Sequence, residues 1–277
     1  MEKFGSIPDH DPVLQDTHGA RTRIVPSRTE LERLYARYNR REFIHPDPLE
    51  FVYHYRESPD REIAGIVAAL LAYGRVRQIL KSVSFILERM GPSPRQFLMD
   101  SSKNSLLKAF KDFKHRFTTG EEVSALLVGL KRILKRHGSL EACFLQGMKS
   151  EDSSVLAALG EFSRELGAGA NPAGSMFLPT PERGSACKRW NLFLRWMVRS
   201  DEVDPGVWKS IPSSSLIVPL DTHMHRIALG MKLTSRKQAD MRTALEITSA
   251  FRKIVPDDPV RYDFSLTRLG IRDGLDA

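Results

Sequence analysis

Cysteine is nearly missing: Cys143 and Cys187 are the only two in 277 residues. Two thiols cannot supply the four thiolates of an iron–sulfur cluster or of a thiolate zinc site, and they build no disulfide framework. A cytoplasmic location, where thiols stay reduced, is the expectation. Long apolar runs are missing too. The longest nearly uncharged stretch, Ile63 to Tyr73, has 11 residues, against the roughly 20 that a membrane-crossing helix needs, so neither a span nor a membrane partner is expected. The N-terminus, Met1-Glu2-Lys3-Phe4, lacks the basic-then-apolar plan of an export signal. Acidic residues are in deficit, 34 Asp and Glu against 42 Lys and Arg, for a net charge of +8. An excess of cations favours polyanionic partners, because Lys and Arg that neutralise phosphates release condensed counterions.

What is present suits a globular domain, with 41% hydrophobic residues to fill a core. Residues 1–26 are polar and aperiodic, which predicts a flexible lead-in; residues 27–277 form the domain proper. Ser27-Arg28-Thr29-Glu30 has the form of a capping box, and Leu31, Leu34, Tyr35 and Tyr38 recur at helical spacing, predicting a helix to about Arg41. Asp60 is placed to cap the next long helix, whose Ile63, Ile66, Val67, Leu70 and Leu71 stripe, filled in by Ala and Gly, predicts burial on most sides. Gly74 punctuates it. Helical patterns follow at 76–87, 106–113, 123–134, 140–148 and 155–166, then a Gly- and Pro-rich loop near 167–184, then helices at 185–199, 222–231, 237–254 and 258–269. No alternating strand stands out. The fold class is all-α, and a monomer is expected.

Two segments carry groups suited to chemistry. In Gly184-Ser185-Ala186-Cys187-Lys188-Arg189-Trp190, Ser185 as N-cap would put Lys188 third in a helix, where free amides disfavour an ammonium. Screened from water by Trp190 or other aromatic neighbours, such a lysine would hold a usable share of neutral, nucleophilic amine; on a solvated face it would be an ordinary surface lysine. In Val218-Pro219-Leu220-Asp221-Thr222-His223-Met224-His225-Arg226, Asp221 precedes a helix and would keep its carboxylate ionised beside the first amides, whether as a cap only or as a reactive group. Asp221, His223 and His225 also invite a metal. Positions two apart on a helix face away from each other, so no metal is expected.

Pro219-Leu220-Asp221-Thr222-His223, followed by Arg226, resembles the catalytic-aspartate segment of the helix-hairpin-helix DNA glycosylase superfamily. The Ile63–Tyr73 helix ending at Gly74 is similar to the superfamily's apolar helix that leads into its substrate cleft, and Leu178-Pro179 with Gly184 and Lys188 looks like a lengthened form of its hairpin. Lys188 lies 33 residues before Asp221, farther than in the usual members, a spacing similar to that of the archaeal-type 8-oxoguanine glycosylase/lyase branch. From about Arg41 onward the chain also resembles a bacterial family defined only as a domain of unknown function.

The glycosylase resemblance implies a two-lobed helical fold with a cleft between the lobes, no cofactor, and duplex DNA containing a damaged base as partner, the base being flipped into the cleft. It implies a base-excision glycosylase and abasic-site lyase acting on an oxidised purine, with Lys188 as nucleophile and Asp221 as its partner. Tyr73, Gly74 and Arg75 would fill the gap left by the flipped base, Phe264 would wall the pocket, and Arg189, His223 and Arg226 would contact phosphates. Lys131, Arg132, Lys135 and Arg136 could do the same, or simply form a solvated helix face. Trp190, Phe193 and Met197 read as core. The alternatives are a module that binds damaged or structured nucleic acid without chemistry, and a helical adaptor between proteins.

Overall fold

The computed structural model describes residues 26–168, 178–181 and 184–272. The expected lead-in, except for Pro26, and most of the loop near 167–184 lie outside the described residues. Among those described, the fold is all-α apart from one hairpin of two-residue strands.

Helix α1 (Arg28–Tyr38) starts through the expected capping box: the Glu30 amide donates to Ser27 Oγ at 3.3 Å and the Ser27 amide to Glu30 Oε2 at 2.7 Å. A 3-10 stretch, Pro48–His54, leads to α2 (Ser58–Leu70), in which every residue from Glu62 to Leu70 is buried. Asp60 does not cap α2. It is itself buried and accepts from the Ser93 hydroxyl at 3.0 Å and the Arg95 amide at 2.8 Å, so it satisfies the start of α4 (Pro94–Asp100) instead. Between them runs α3 (Val76–Met90).

Helix α5 (Lys103–Phe110) is followed by the hairpin of β1 (Lys114–His115) and β2 (Thr118–Thr119), and then by α6 (Gly120–His137). Gly120 is required where it stands: a Cβ there would fall 1.7 Å from the Phe110 carbonyl oxygen, because α5 and α6 touch backbone to backbone. The basic run on α6 is only partly a solvated face. Lys131 Nζ donates to the carbonyls of Met99 at 2.7 Å and Ser101 at 2.6 Å, and Arg132 donates to the Glu165 carbonyl. Those cations sit where helix C-termini leave carbonyls unpaired, which occupies both groups locally. Lys135 and Arg136 are exposed.

Helices α7 (Leu140–Leu145) and α8 (Leu156–Gly167) pack on α6. Helix α9 (Lys188–Val198) lies against α2, and Gly65 lets it come close, since a Cβ there would be 2.8 Å from Met197 Cε. Trp190, Phe193 and Met197 are fully buried, as their spacing predicts. Helices α10 (Thr222–Gly230), α11 (Met241–Ile254) and α12 (Asp263–Arg272) complete the described residues. Two packing sets result: α2 to α8 on one hand, and α1 and α10 on α12 on the other, with α9 docked on α2. No described helix is long and apolar enough to cross a membrane.

Candidate active site

Helix α9 begins two residues later than its sequence pattern suggests. Ser185 Oγ accepts from the Cys187 amide at 3.2 Å, closing a local turn rather than capping the helix. Cys187 then takes a left-handed conformation, φ 50° and ψ 34°, which an L-residue adopts only under local constraint. The turn makes Lys188 the first helical residue, not the third. The approach is anchored from outside: Ser185 bridges Asp240, and the Met241 amide donates to the Gly184 carbonyl at 3.3 Å.

Asp221 is the N-cap of α10, and its two oxygens do different work. Oδ1 accepts from the amides of His223 at 3.0 Å and Met224 at 2.9 Å. Oδ2 faces Lys188 Nζ at 3.1 Å. Burial pushes this carboxyl up, but the Lys188 ammonium and the Met224 amide outweigh it and hold Asp221 below its ordinary value. The pair is accessible, with side chains 33% and 25% exposed for Lys188 and Asp221. Trp190 is not its screen. That indole is fully buried, donating from Nε1 to the Pro179 carbonyl at 2.8 Å and packing against Phe162 and Phe193.

The structure thus joins an amine and a carboxylate from segments 33 residues apart. It places the other singled-out residues unevenly. Arg189 reaches the C-terminus of α2, donating from Nη1 to the Leu70 carbonyl at 2.8 Å, and its guanidinium lies 5.0 Å from the centre of the Tyr73 ring. That placement differs from a phosphate contact. Burial pushes the guanidinium below its ordinary value, and the free carbonyls ending α2 supply a compensating dipole. The Tyr73 hydroxyl donates to the His115 carbonyl at 2.9 Å and lies 2.6 Å from Thr118 Oγ1, tying the end of α2 to the hairpin. Gly74, at φ 93°, and Arg75 are exposed at the start of α3.

His223 and Arg226 are exposed on α10, flanking Asp221. His225 turns the other way and donates from Nε2 to the Arg236 carbonyl at 2.8 Å, so the two histidines do not converge, as their spacing predicts. No cluster of three or more metal-ligating side chains occurs among the described residues. Phe264 is 2% exposed and packs beside the guanidinium groups of Arg195 and Arg268, so in this conformation it is interior and not a pocket wall.

Sequence reasoning missed the interior charges on the same helix. Arg195 pairs with Asp204 at 3.1 Å and with Asp263, while Arg199 binds Asp204, Asp201 at 2.9 Å and Asp258 at 3.0 Å. Burial pushes Asp263 up to about 6, against the pull of Arg195. The only signal was spacing: Lys188, Arg195 and Arg199 recur near two-turn and one-turn intervals on one helix.

No curated protein and no solved structure matches the chain. A family model does match, over residues 47–272, which takes in α2 to α12 and both members of the ion pair. The chain therefore belongs to the family described as proteins of unknown function, DUF2400.

Proposed function

We propose that this protein is a DNA base-excision glycosylase and abasic-site lyase that removes an oxidised purine through a Schiff base on Lys188. The observation that carries the reading is the 3.1 Å approach of Lys188 Nζ to Asp221 Oδ2 at a partly open surface. A lysine nucleophile needs a nearby group to take its proton, and a carboxylate at hydrogen-bond distance is such a group. The motif resemblance around Asp221 adds to that geometry, and the substrate class rests on the resemblance alone.

In the reaction, Nζ gives a proton to Asp221 and attacks C1′ of the deoxyribose. The C1′–N9 bond breaks, its electron pair goes to the purine, and the proton passes through Asp221 to the departing base. The C1′–O4′ bond then breaks, O4′ takes a proton from the attached nitrogen, and the sugar opens to an iminium on Lys188. Loss of a C2′ proton then expels the 3′ phosphate, and water hydrolyses the iminium to free the lysine. Held in its ionised form by the α10 amides, Asp221 also opposes the positive charge that grows on the sugar as the base leaves. No metal or redox partner enters this balance. The action on DNA accords with a cytoplasmic location.

The test is covalent capture. Wild-type protein incubated with an 8-oxoguanine or abasic duplex and borohydride should give a stable protein–DNA adduct, and Lys188→Gln should give none. Undiminished capture by Lys188→Gln sinks the assignment. The alternative, binding without chemistry, is favoured by one fact: Asp221 already has a structural task as the α10 cap. It predicts salt-sensitive retention of damaged DNA with no adduct.

A further inference from the structure

Helix α1 ends beside a cavity of about 630 Å³. Tyr35, Ala36, Asn39 and Arg40 line it from the end of α1, and Asp201 and Glu202 line it from the loop after α9. It lies past the opposite end of α9 from Lys188, with roughly 15 Å of helix between them. The cavity is therefore separate from the ion pair and its chemistry. Its volume is that of a small-molecule site.

Asn39 is out of place in a wall with no ligand. It is 6% exposed, and its Oδ1 is sealed without a hydrogen-bond partner among the described residues. The end of α1 does not call for this side chain, because the Asn39 backbone amide already donates to the Tyr35 carbonyl at 2.9 Å. A buried carbonyl with no donor costs free energy that an apolar residue there would not. The groups around it are fixed. Tyr35 donates its hydroxyl to Asp201 Oδ2 at 2.9 Å, and the Arg261 guanidinium lies 3.8 Å from the Tyr35 ring centre. Asp201 is fully committed: Oδ1 accepts from the amides of Val203 at 2.7 Å and Asp204 at 2.8 Å, and Oδ2 also meets Arg199 at 2.9 Å. Arg40 and Glu202 are exposed, one of each sign. Arg40 Nε donates to the Ala36 carbonyl at 3.3 Å, which keeps its guanidinium beside the cavity.

We infer that this cavity binds an adenine nucleoside monophosphate, with N6 donating to Asn39 Oδ1, the ribose hydroxyls donating to Glu202, and the phosphate on Arg40. A carboxamide matches adenine as a two-bond pair, its oxygen accepting from N6 and its nitrogen donating to N7. The last side-chain torsion of asparagine is soft, so the amide turns to meet the base. A carboxylate is a regular acceptor for ribose hydroxyls, and a guanidinium suits a single phosphate. Guanine and hypoxanthine present two acceptors, O6 and N7, on the same edge and would leave the Asn39 carbonyl without a donor. A lone amino acid would leave much of the volume unfilled, and a nucleic-acid strand would bring several phosphates against Glu202 and Asp201. Through Tyr35, Asp201 and Arg199 the cavity wall is continuous with the charge cluster on α9.

Titration calorimetry of the full chain with adenosine monophosphate, inosine monophosphate and adenosine tests this. Adenosine monophosphate should bind, and inosine monophosphate, which carries oxygen in place of the N6 amino group, should bind about tenfold more weakly or worse. Adenosine should lose about tenfold for want of the phosphate, and Arg40→Ala should erase the difference between adenosine and its monophosphate. Asn39→Ala should erase the preference for adenine over hypoxanthine while unfolding in urea stays cooperative, since the Asn39 carbonyl gives up no hydrogen bond. A wild type that does not bind adenosine monophosphate, equal affinities for the adenine and hypoxanthine nucleotides, or an undiminished preference in Asn39→Ala each overturn the inference. Should Asn39→Ala fail to fold, the comparison of the two nucleotides on the wild type decides. Lys188→Gln should bind adenosine monophosphate as the wild type does; loss of binding in that variant would move the nucleotide to the ion pair and overturn its assignment to this cavity.

Discussion

Helix α9 carries charge at both ends, and the two ends are built differently. At its C-terminal end Arg195 and Arg199 are 3% exposed, and each meets more than one carboxylate among Asp201, Asp204, Asp258 and Asp263. At its N-terminal end Lys188 meets Asp221 at 33% and 25% exposure. Charges that only hold a fold together are sealed and multiply paired, because a buried ion left short of partners costs several kcal/mol. The Lys188–Asp221 pair is open to a ligand, and breaking it costs little. On the proposed reading the N-terminal pair is the reactive one, while the C-terminal cluster ties α9 to the start of α12 through Arg195 and Asp263.

The comparison breaks if stability and chemistry do not separate along the helix. Arg195→Ala strands Asp263 in the interior and leaves Asp204 with Arg199 alone, and should lower unfolding free energy by about 3–5 kcal/mol, measured by urea denaturation. Gly120→Ala, remote from both charge sets, forces a Cβ to 1.7 Å from the Phe110 oxygen and should cost about 1–3 kcal/mol. Its adduct yield per folded molecule should equal the wild type's, so that lost stability alone cannot explain lost chemistry. Lys188→Gln should change stability by no more than about 1 kcal/mol while abolishing the adduct. If Lys188→Gln instead unfolds the protein as Arg195→Ala does, the pair is structural.

Asp221→Asn sharpens the same contrast. An asparagine oxygen can still accept from the α10 amides, so binding of damaged duplex should survive while single-turnover excision slows by about a hundredfold or more. The pH dependence has a fixed sign. The folded-state value of Asp221 lies below 3.8, so its contribution to stability is present above that pH and is lost as pH falls through the folded value. The melting-temperature difference between wild type and Asp221→Asn should therefore be flat at neutral pH and close below about pH 4. This is the smallest of the expected effects, because the pair is partly exposed.

Local signals in the sequence are legible where the partners are local. Ser27 and Glu30 cap α1 as their spacing says, and Asp221 caps α10 for the same reason. The α2 stripe and the Trp190, Phe193 and Met197 face are buried because apolar periodicity reports burial directly. Where partners are distant, the pattern misleads. Asp60 accepts from the first turn of α4 rather than capping α2, and Lys131 and Arg132 reach carbonyls about thirty residues away, in a geometry no window of sequence contains. Ser185 resembles a helix cap, but the left-handed backbone of Cys187 intervenes and shifts the start of α9 to Lys188. The hairpin between α5 and α6 has two-residue strands, too short for alternation to register. The pairing of Lys188 with Asp221 rested on resemblance; only the fold brings the two groups together.

The central claim is that one particular amine forms the covalent bond. Borohydride-reduced adduct, digested with protease and nuclease and sequenced by mass spectrometry, should carry the sugar remnant on the peptide containing Lys188 and at Lys188 Nζ alone. A remnant on any other lysine, or bound duplex that yields no remnant at all, contradicts the account.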